Sequence, residues 1–277
     1  MNQVRQTHQE QLSIHEEGIC FVHAYTELVR LAYDHGHLAY ITTMTWLFKI
    51  DVDHINIKAF CEDFYVENVV MDTRNDRNEA FVNQITLKFT NISSKSIKIF
   101  KNGHVQITGV SSYFECMDIS TMVLQWINQF VPNNDGSRRH YEIKKNSQRI
   151  VMINICINTF STQLIDMKDL SIRLKQNREV TRCTYNPENH RGLNIKFISG
   201  VSMFMFHTGN IIMSSHSLDD LKECYICVVQ KHFIQEDRYR NQRPLSICKK
   251  YIENTCHGYD TKDLLACIVY TPASTSS

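Results

Sequence analysis

The ten cysteines and thirteen histidines are the side chains best suited to metal binding or nucleophilic chemistry. Their spacing singles out no catalytic set. Cys224 and Cys227 form one Cys-x-x-Cys inside a helical pattern, with no second pair. Cys248, Cys256, His257 and Cys267 are the set whose residue types suit zinc, but scattered cysteines read more simply as idle or buried thiols. There is no GxxxxGK[ST], HExxH or GxSxG, no pair of catalytic carboxylates, and no nucleophile spaced to a base. The expectation is a protein that is not an enzyme, with no cofactor, no metal and no small-molecule substrate. The residues with chemical potential are instead aromatic and apolar side chains set on hairpins.

Those hairpins come in two matching copies. Ile97-Lys98-Ile99-Phe100-Lys101-Asn102-Gly103 resembles Met203-Phe204-Met205-Phe206-His207-Thr208-Gly209. Each reads as a strand and a tight turn, where glycine accepts a positive φ. A second strand follows each turn, His104–Gly109 and Asn210–Ser215. Upstream, Ile85–Phe89 matches Leu193–Phe197. Downstream, apolar residues at helical spacing predict helices over Asp118–Phe130 and Leu218–Phe233, the latter capped by Ser217. Earlier in each half lie a strand and a helix, Tyr40–Lys49 with Ile55–Phe64 and Arg149–Ile157 with Leu164–Lys175. Each half therefore reads strand, helix, three strands, helix. The segment 131–137, VPNNDGS, reads as a linker. The boundaries expected are a helical extension over 1–37, repeats over 38–131 and 141–237, a linker over 132–140 and a C-terminal extension over 238–277.

Strand alternation gives the hairpins two faces. Ile97, Ile99, Val105 and Ile107 share one face with Met203, Met205, Ile211 and Met213. The opposite face carries Phe100, Phe204, Phe206 and Ile212, together with Lys98, Gln106, Thr108 and Ser214. If helices cover the first face, an apolar second face needs a partner. The N-terminal extension is one candidate cover, and a DNA minor groove is the other, since its apolar sugar walls and acceptor-only A·T floor complement such a surface.

The net charge of +1 neither demands nor excludes nucleic acid. Basic residues cluster at Arg138, Arg139, Lys144, Lys145 and Arg149, and again over 238–250. No apolar run reaches the roughly 18–20 residues of a membrane span, and the polar start lacks a signal-peptide core. An intracellular protein with reduced thiols and no membrane partner is expected.

The paired hairpins IFKNGHVQITG and MFHTGNIIMSS, the segment YNPENHRG over 185–192, and the order in which they occur resemble the TATA-binding proteins. The likeness runs from about Tyr40 to Phe233 and is nearest to the divergent TATA-binding-like proteins of large DNA viruses. The resemblance implies an α+β saddle, two pseudo-repeats forming a curved antiparallel sheet with helices on the convex side. It implies a transcription initiation factor that bends AT-rich promoter DNA from the minor groove. Partners would be a B-type initiation factor and RNA polymerase, in a host nucleus or a cytoplasmic viral factory if the source is viral. Phe81, Phe100, His190 and Phe206 match the wedge positions. Tyr40, Thr42, Thr108, Arg149, Val151, Phe204, Ile212 and Ser214 match the groove floor and flanks. Two of these, Tyr40 and Arg149, stand where the family has asparagine, which puts strict TATA preference in question. Arg138, Arg139, Lys144, Lys145 and Arg191 are the phosphate contacts expected. Asn186, Glu188 and Asn189 lie where the family meets the B-type factor. The rival expectation is a saddle retained as a protein-docking module with little DNA bending, which Lys98 on the apolar face favours. A free saddle could also bury itself in a homodimer.

Overall fold

The computed structural model describes residues 14–72, 83–90, 95–131, 140–159, 164–188 and 190–230. Ten strands form one antiparallel sheet. In chain order they are β1 (Leu38–Lys49), β2 (Val69–Met71), β3 (Gln84–Phe89), β4 (Ser96–Phe100), β5 (His104–Val110), β6 (Arg149–Asn158), β7 (Val180–Asn186), β8 (His190–Phe197), β9 (Ser202–Phe206) and β10 (Asn210–Ser215). Their spatial order is β2-β3-β4-β5-β1-β6-β10-β9-β8-β7. The first strand of each half therefore lies at the centre, β1 against β6. Five helices accompany the sheet: α1 (Ile14–Asp34), α2 (Ile57–Asp63), α3 (Tyr113–Phe130), α4 (Met167–Lys175) and α5 (Leu218–Cys224), the last continued by a π-helical turn over Tyr225–Gln230.

Each half runs strand, helix, four strands, helix, one strand more than the pattern suggested. The additional strands are β2 and β7, the two edges of the sheet. Both are poor in apolar alternation, because an edge strand with exposed sides has little core to face. The segment over 185–192 correspondingly ends one strand and begins the next, with Tyr185 and Asn186 in β7 and His190 to Gly192 in β8, rather than forming an open loop.

The helices cover one face. Trp46, Phe48, Ile97, Ile99, Val105 and Ile107 from the first half, and Leu193, Ile195, Met203, Met205, Ile211 and Met213 from the second, are fully buried beneath them. Phe60 of α2 and Phe64, which caps its end, stack at 4.8 Å and meet Phe130 of α3 edge-on. The N-terminal helix α1 belongs to this same layer. Its Tyr25, Leu28, Val29 and Ala32 are buried, Tyr113 donates to Glu17 at 3.0 Å, and Lys222 meets Glu27 at 2.6 Å. A Cβ at Gly18 would lie 2.9 Å from Phe114 and Tyr113, so α1 packs closely on α3. Helix α1 therefore does not cover the opposite face of the sheet. At α5, the predicted cap is present: Ser217 accepts from the Asp220 amide. The C-terminal extension over 238–277, including Cys248, Cys256, His257 and Cys267, lies outside the described residues.

Both hairpin tips are tied to the end of a central strand. The Ile50 amide donates to Gly103 at 2.8 Å and the Thr159 amide to Gly209 at 3.2 Å; Ile55 likewise donates to Lys101 and Ile165 to His207. Gly103 has φ +83°, and a Cβ there would stand 3.0 Å from the carbonyl oxygens of Ile50 and Val52. Glycine is required both for the turn and for the close approach.

Candidate functional site

The uncovered face of the sheet is built by alternation, and two of its interruptions, both in the central ladder, place residues the pattern alone would misplace. In β1 the register against β6 shifts between Ile41 and Thr43; in the same ladder a second shift falls opposite Ile150 to Met152 of β6. Each is a bulge of one extra residue. Thr42 and Thr43 both leave the core between buried Ile41 and Met44, and Val151 and Met152 do so between Ile150 and buried Ile153. The two bulges lie on adjacent central strands, with the pairs Thr43–Asn154, Met44–Ile153 and Thr45–Met152 between them. Thr42 donates through Oγ1 to the Asn154 carbonyl at 3.1 Å, and Ser214 donates to Asn154 Oδ1 at 2.6 Å. Asn154 is thus a half-buried amide at the centre of the open face.

Cross-strand pairing orders the rest. One row runs Thr86, Lys98, Gln106, Leu47, Arg149 across β3, β4, β5, β1 and β6. Its counterpart runs Thr184, Asn194, Phe204, Ile212, Cys156, Tyr40 across β7, β8, β9, β10, β6 and β1. Thr108 faces Ser96, with 3.0 Å between the hydroxyls. Phe100 and Phe206 are half-buried at the tips of β4 and β9, each accepting a turn bond from the glycine three residues on. Five strand spacings separate them, about 24 Å across the sheet.

The ten strands contain no aspartate or glutamate. They contain seven Lys or Arg residues. Six of these belong to the open face: Lys49, Lys88, Lys98, Arg149, Arg182 and Lys196. The five helices carry twelve acids against six Lys or Arg. A near-neutral chain is thereby divided into a basic sheet and an acidic helical layer. Lys88 pairs with Asp72 at 2.5 Å, and Lys196 bonds Ser202. Arg182 and Lys196 stand directly opposite one another, both exposed. Like charges so placed destabilise a sheet by a few tenths to about 1 kcal/mol unless a ligand compensates them.

Several expected residues are brought together here: Phe100, Phe206, Tyr40, Thr42, Thr108, Arg149, Val151, Phe204, Ile212 and Ser214 share the open face. Arg191 does not. It alternates with Leu193 and Ile195 on the helix-covered side, although exposed at the rim. Its reach toward a phosphate would be from the rim rather than from the open face. Lys144 and Lys145 are exposed in a turn held to the end of β1, where the Lys144 amide donates to the Lys49 carbonyl. His190 begins β8, opposite Asn186 and two residues before Gly192, which faces Phe206. Asn186 and Glu188 are exposed at the β7–β8 turn, with the Glu188 amide bonded to Asn186. Phe81, Arg138, Arg139 and Asn189 lie outside the described residues. Sequence reasoning missed Thr43 and Met152, because a bulge leaves no mark in hydrophobic periodicity; Asn154 was missed too, although alternation between buried Ile153 and Ile155 could have placed it on the open face. It also missed the basic rim, which the absence of acids from every strand could have disclosed.

A single antiparallel sheet, clothed by helices on one side and open on the other with the first strands of both halves at its middle, is the architecture of a TBP-like saddle. Among solved structures, 15 chains match. One is the TBP of Methanococcus jannaschii, with a TM-score of 0.50 and 16% identity, covering 69% of this chain and 96% of that one. At that identity the likeness establishes the fold. No protein-family model and no curated protein matches the sequence.

Proposed function

We propose that the chain is a non-enzymatic, TATA-binding-protein-like initiation factor that grips AT-rich duplex DNA with its open sheet face and bends it. The observation that carries the reading is the open face, partly apolar and built of basic, acid-free strands, backed by an acidic helical layer. Such a face attracts phosphates at its rim while the apolar centre meets sugars and the groove floor. Phe100 and Phe206 act as wedges from the two tips, with Phe81 and His190 as their neighbours by resemblance. Thr42, Thr43, Thr108, Val151, Ile212 and Ser214 line the floor. Lys49, Lys144, Lys145, Arg182 and Lys196 hold phosphates. The exposed Asn186–Glu188 turn at the far edge is left to meet a B-type factor, and through it the polymerase. Kinship to the viral members, and action where viral transcription takes place, rest on the sequence resemblance.

A second reading, a protein-docking module, is favoured by Lys98 and Gln106 at positions whose counterparts are Phe204 and Ile212. One experiment separates them. An AT-rich duplex carrying a dye at each end is titrated with protein across a salt series, beside a GC-rich control. Tight AT-selective binding with the dyes drawing together supports the bending factor. Absence of selective binding at low salt rejects it and leaves the docking module.

A further inference from the structure

The two halves of the open face are unlike in chemistry, and this has a consequence for the ligand. Equivalent places in the two central rows hold Lys98 against Phe204, Gln106 against Ile212, and Arg149 against Tyr40. One row is cationic and rich in hydrogen-bonding groups. The other holds Phe204, Ile212 and Cys156 at its middle, between the Tyr40 and Thr184 hydroxyls at its ends, and its one carboxamide, on Asn194, has its oxygen sealed from solvent.

The minor groove distinguishes base pairs poorly. A·T and T·A offer only acceptors on its floor, and G·C adds one donor, the guanine N2 amino group. Against Phe204 and Ile212 that donor would lose water and find no acceptor. Against Gln106 it finds a carboxamide oxygen, while the Gln106 amide, Lys98 and Arg149 donate to the purine N3 and pyrimidine O2 acceptors. We infer that this protein, if it binds DNA as proposed above, recognises an asymmetric site in one orientation: the half-site beneath Phe204 and Ile212 must be A·T, whereas the half-site beneath Lys98 and Gln106 tolerates one G·C pair, at the step Gln106 meets.

The test is competition binding by the full chain to sets of short duplexes: all A·T, one G·C pair stepped through the left half, one at the matching step of the right half, and one in both. At the step Gln106 meets, the protein turns its tolerant half toward whichever side carries G·C. Either single substitution there is therefore expected to cost less than about threefold, and the double substitution about tenfold or more through the unpaired buried donor. Replacing guanine by inosine, which lacks the N2 amino group, restores the doubly substituted duplex. In the Lys98→Phe, Gln106→Ile variant both rows are apolar at their middle, so a single G·C pair at that step now costs as much as one in the strict half does. Both positions are half-exposed on strands, and retained binding to the all-A·T duplex reports that the variant is folded. Binding of the A·T duplex with an equal stepwise loss for the first and second G·C pair at every step overturns the inference and leaves the DNA reading standing. Failure to bind any duplex overturns both.

Discussion

Arg182 and Lys196 face each other across β7 and β8 with no carboxylate partner among the described residues. Replacing both by Gln should move stability and binding in opposite directions. Removing the repulsion stabilises the free protein by up to about 1 kcal/mol, a rise in Tm of about 1–3 °C for a domain of this size. Binding should weaken and lose salt sensitivity. Lys88 is matched by Asp72, Lys98 and Arg149 are turned to the groove floor, and the phosphate contacts proposed are the five of Lys49, Lys144, Lys145, Arg182 and Lys196. At about 0.9 ions per phosphate contact, five contacts give a slope of log K against log salt near −4.5, a loss of about 500-fold between 50 and 200 mM salt. The double variant should show a slope near −2.7 and a loss of about 40-fold over the same range. The assay is fluorescence anisotropy of a labelled AT-rich duplex at five or six salt concentrations, with thermal melting of the free protein alongside. A variant that melts higher but keeps the parental slope would refute the reasoning, because the pair would then be a structural blemish outside the interface. A lower slope without any rise in Tm would show that the repulsion is already screened by water.

Other outcomes follow from the same structure. Phe100→Ala with Phe206→Ala should abolish the approach of end-labelled dyes; both rings are half-buried, so the fold should lose no more than about 1 kcal/mol per site, read by denaturant melts. Parental bending by this variant would remove the wedge assignment. Lys95 and Glu115 form a buried pair at 2.5 Å, and Glu115 also accepts the Ser111 amide. Lys95→Ala should therefore destabilise by about 3 kcal/mol, while Lys95→Met with Glu115→Leu recovers much of that, measured by urea unfolding. Burial pushes the Cys224 thiol up to about 11 from an ordinary 9.0, opposed in part by its bond to Ser199. In the fold it stays protonated where the unfolded thiol ionises, so its contribution to stability is whole below about pH 9 and declines as pH rises toward 11. Titration with a disulfide reagent at pH 8 should accordingly label exposed Cys20 before Cys224.

The local elements were legible because their causes are local. Glycines at 103 and 209 mark turns that need positive φ, and the β4–β5 and β9–β10 hairpins occur where those turns suggest. Alternation of Ile97 and Ile99 with Lys98 and Phe100 is enough to assign faces in a strand without bulges, and burial follows it. The same rule breaks at Thr42–Thr43 and Val151–Met152. There an extra residue relieves the central ladder and turns two consecutive side chains outward, and nothing in residue type announces it. The edge strands β2 and β7 were illegible for the opposite reason, since strands with little apolar burial carry little periodic signal.

By itself, the sequence determined that the chain carries two like hairpins with phenylalanine at the tip of each, and that its charges nearly cancel. Only the tertiary structure decided where those charges stand. Folding gathers strands lacking any acid into one sheet and acidic helices into one layer, so a net charge of +1 becomes a basic face and an acidic back. It also brings Asn154, Thr42 and Ser214 from three strands into one hydrogen-bonded centre. That centre depends on pairing between residues 112 and 60 positions apart, and such pairing is a property of the sheet rather than of any segment.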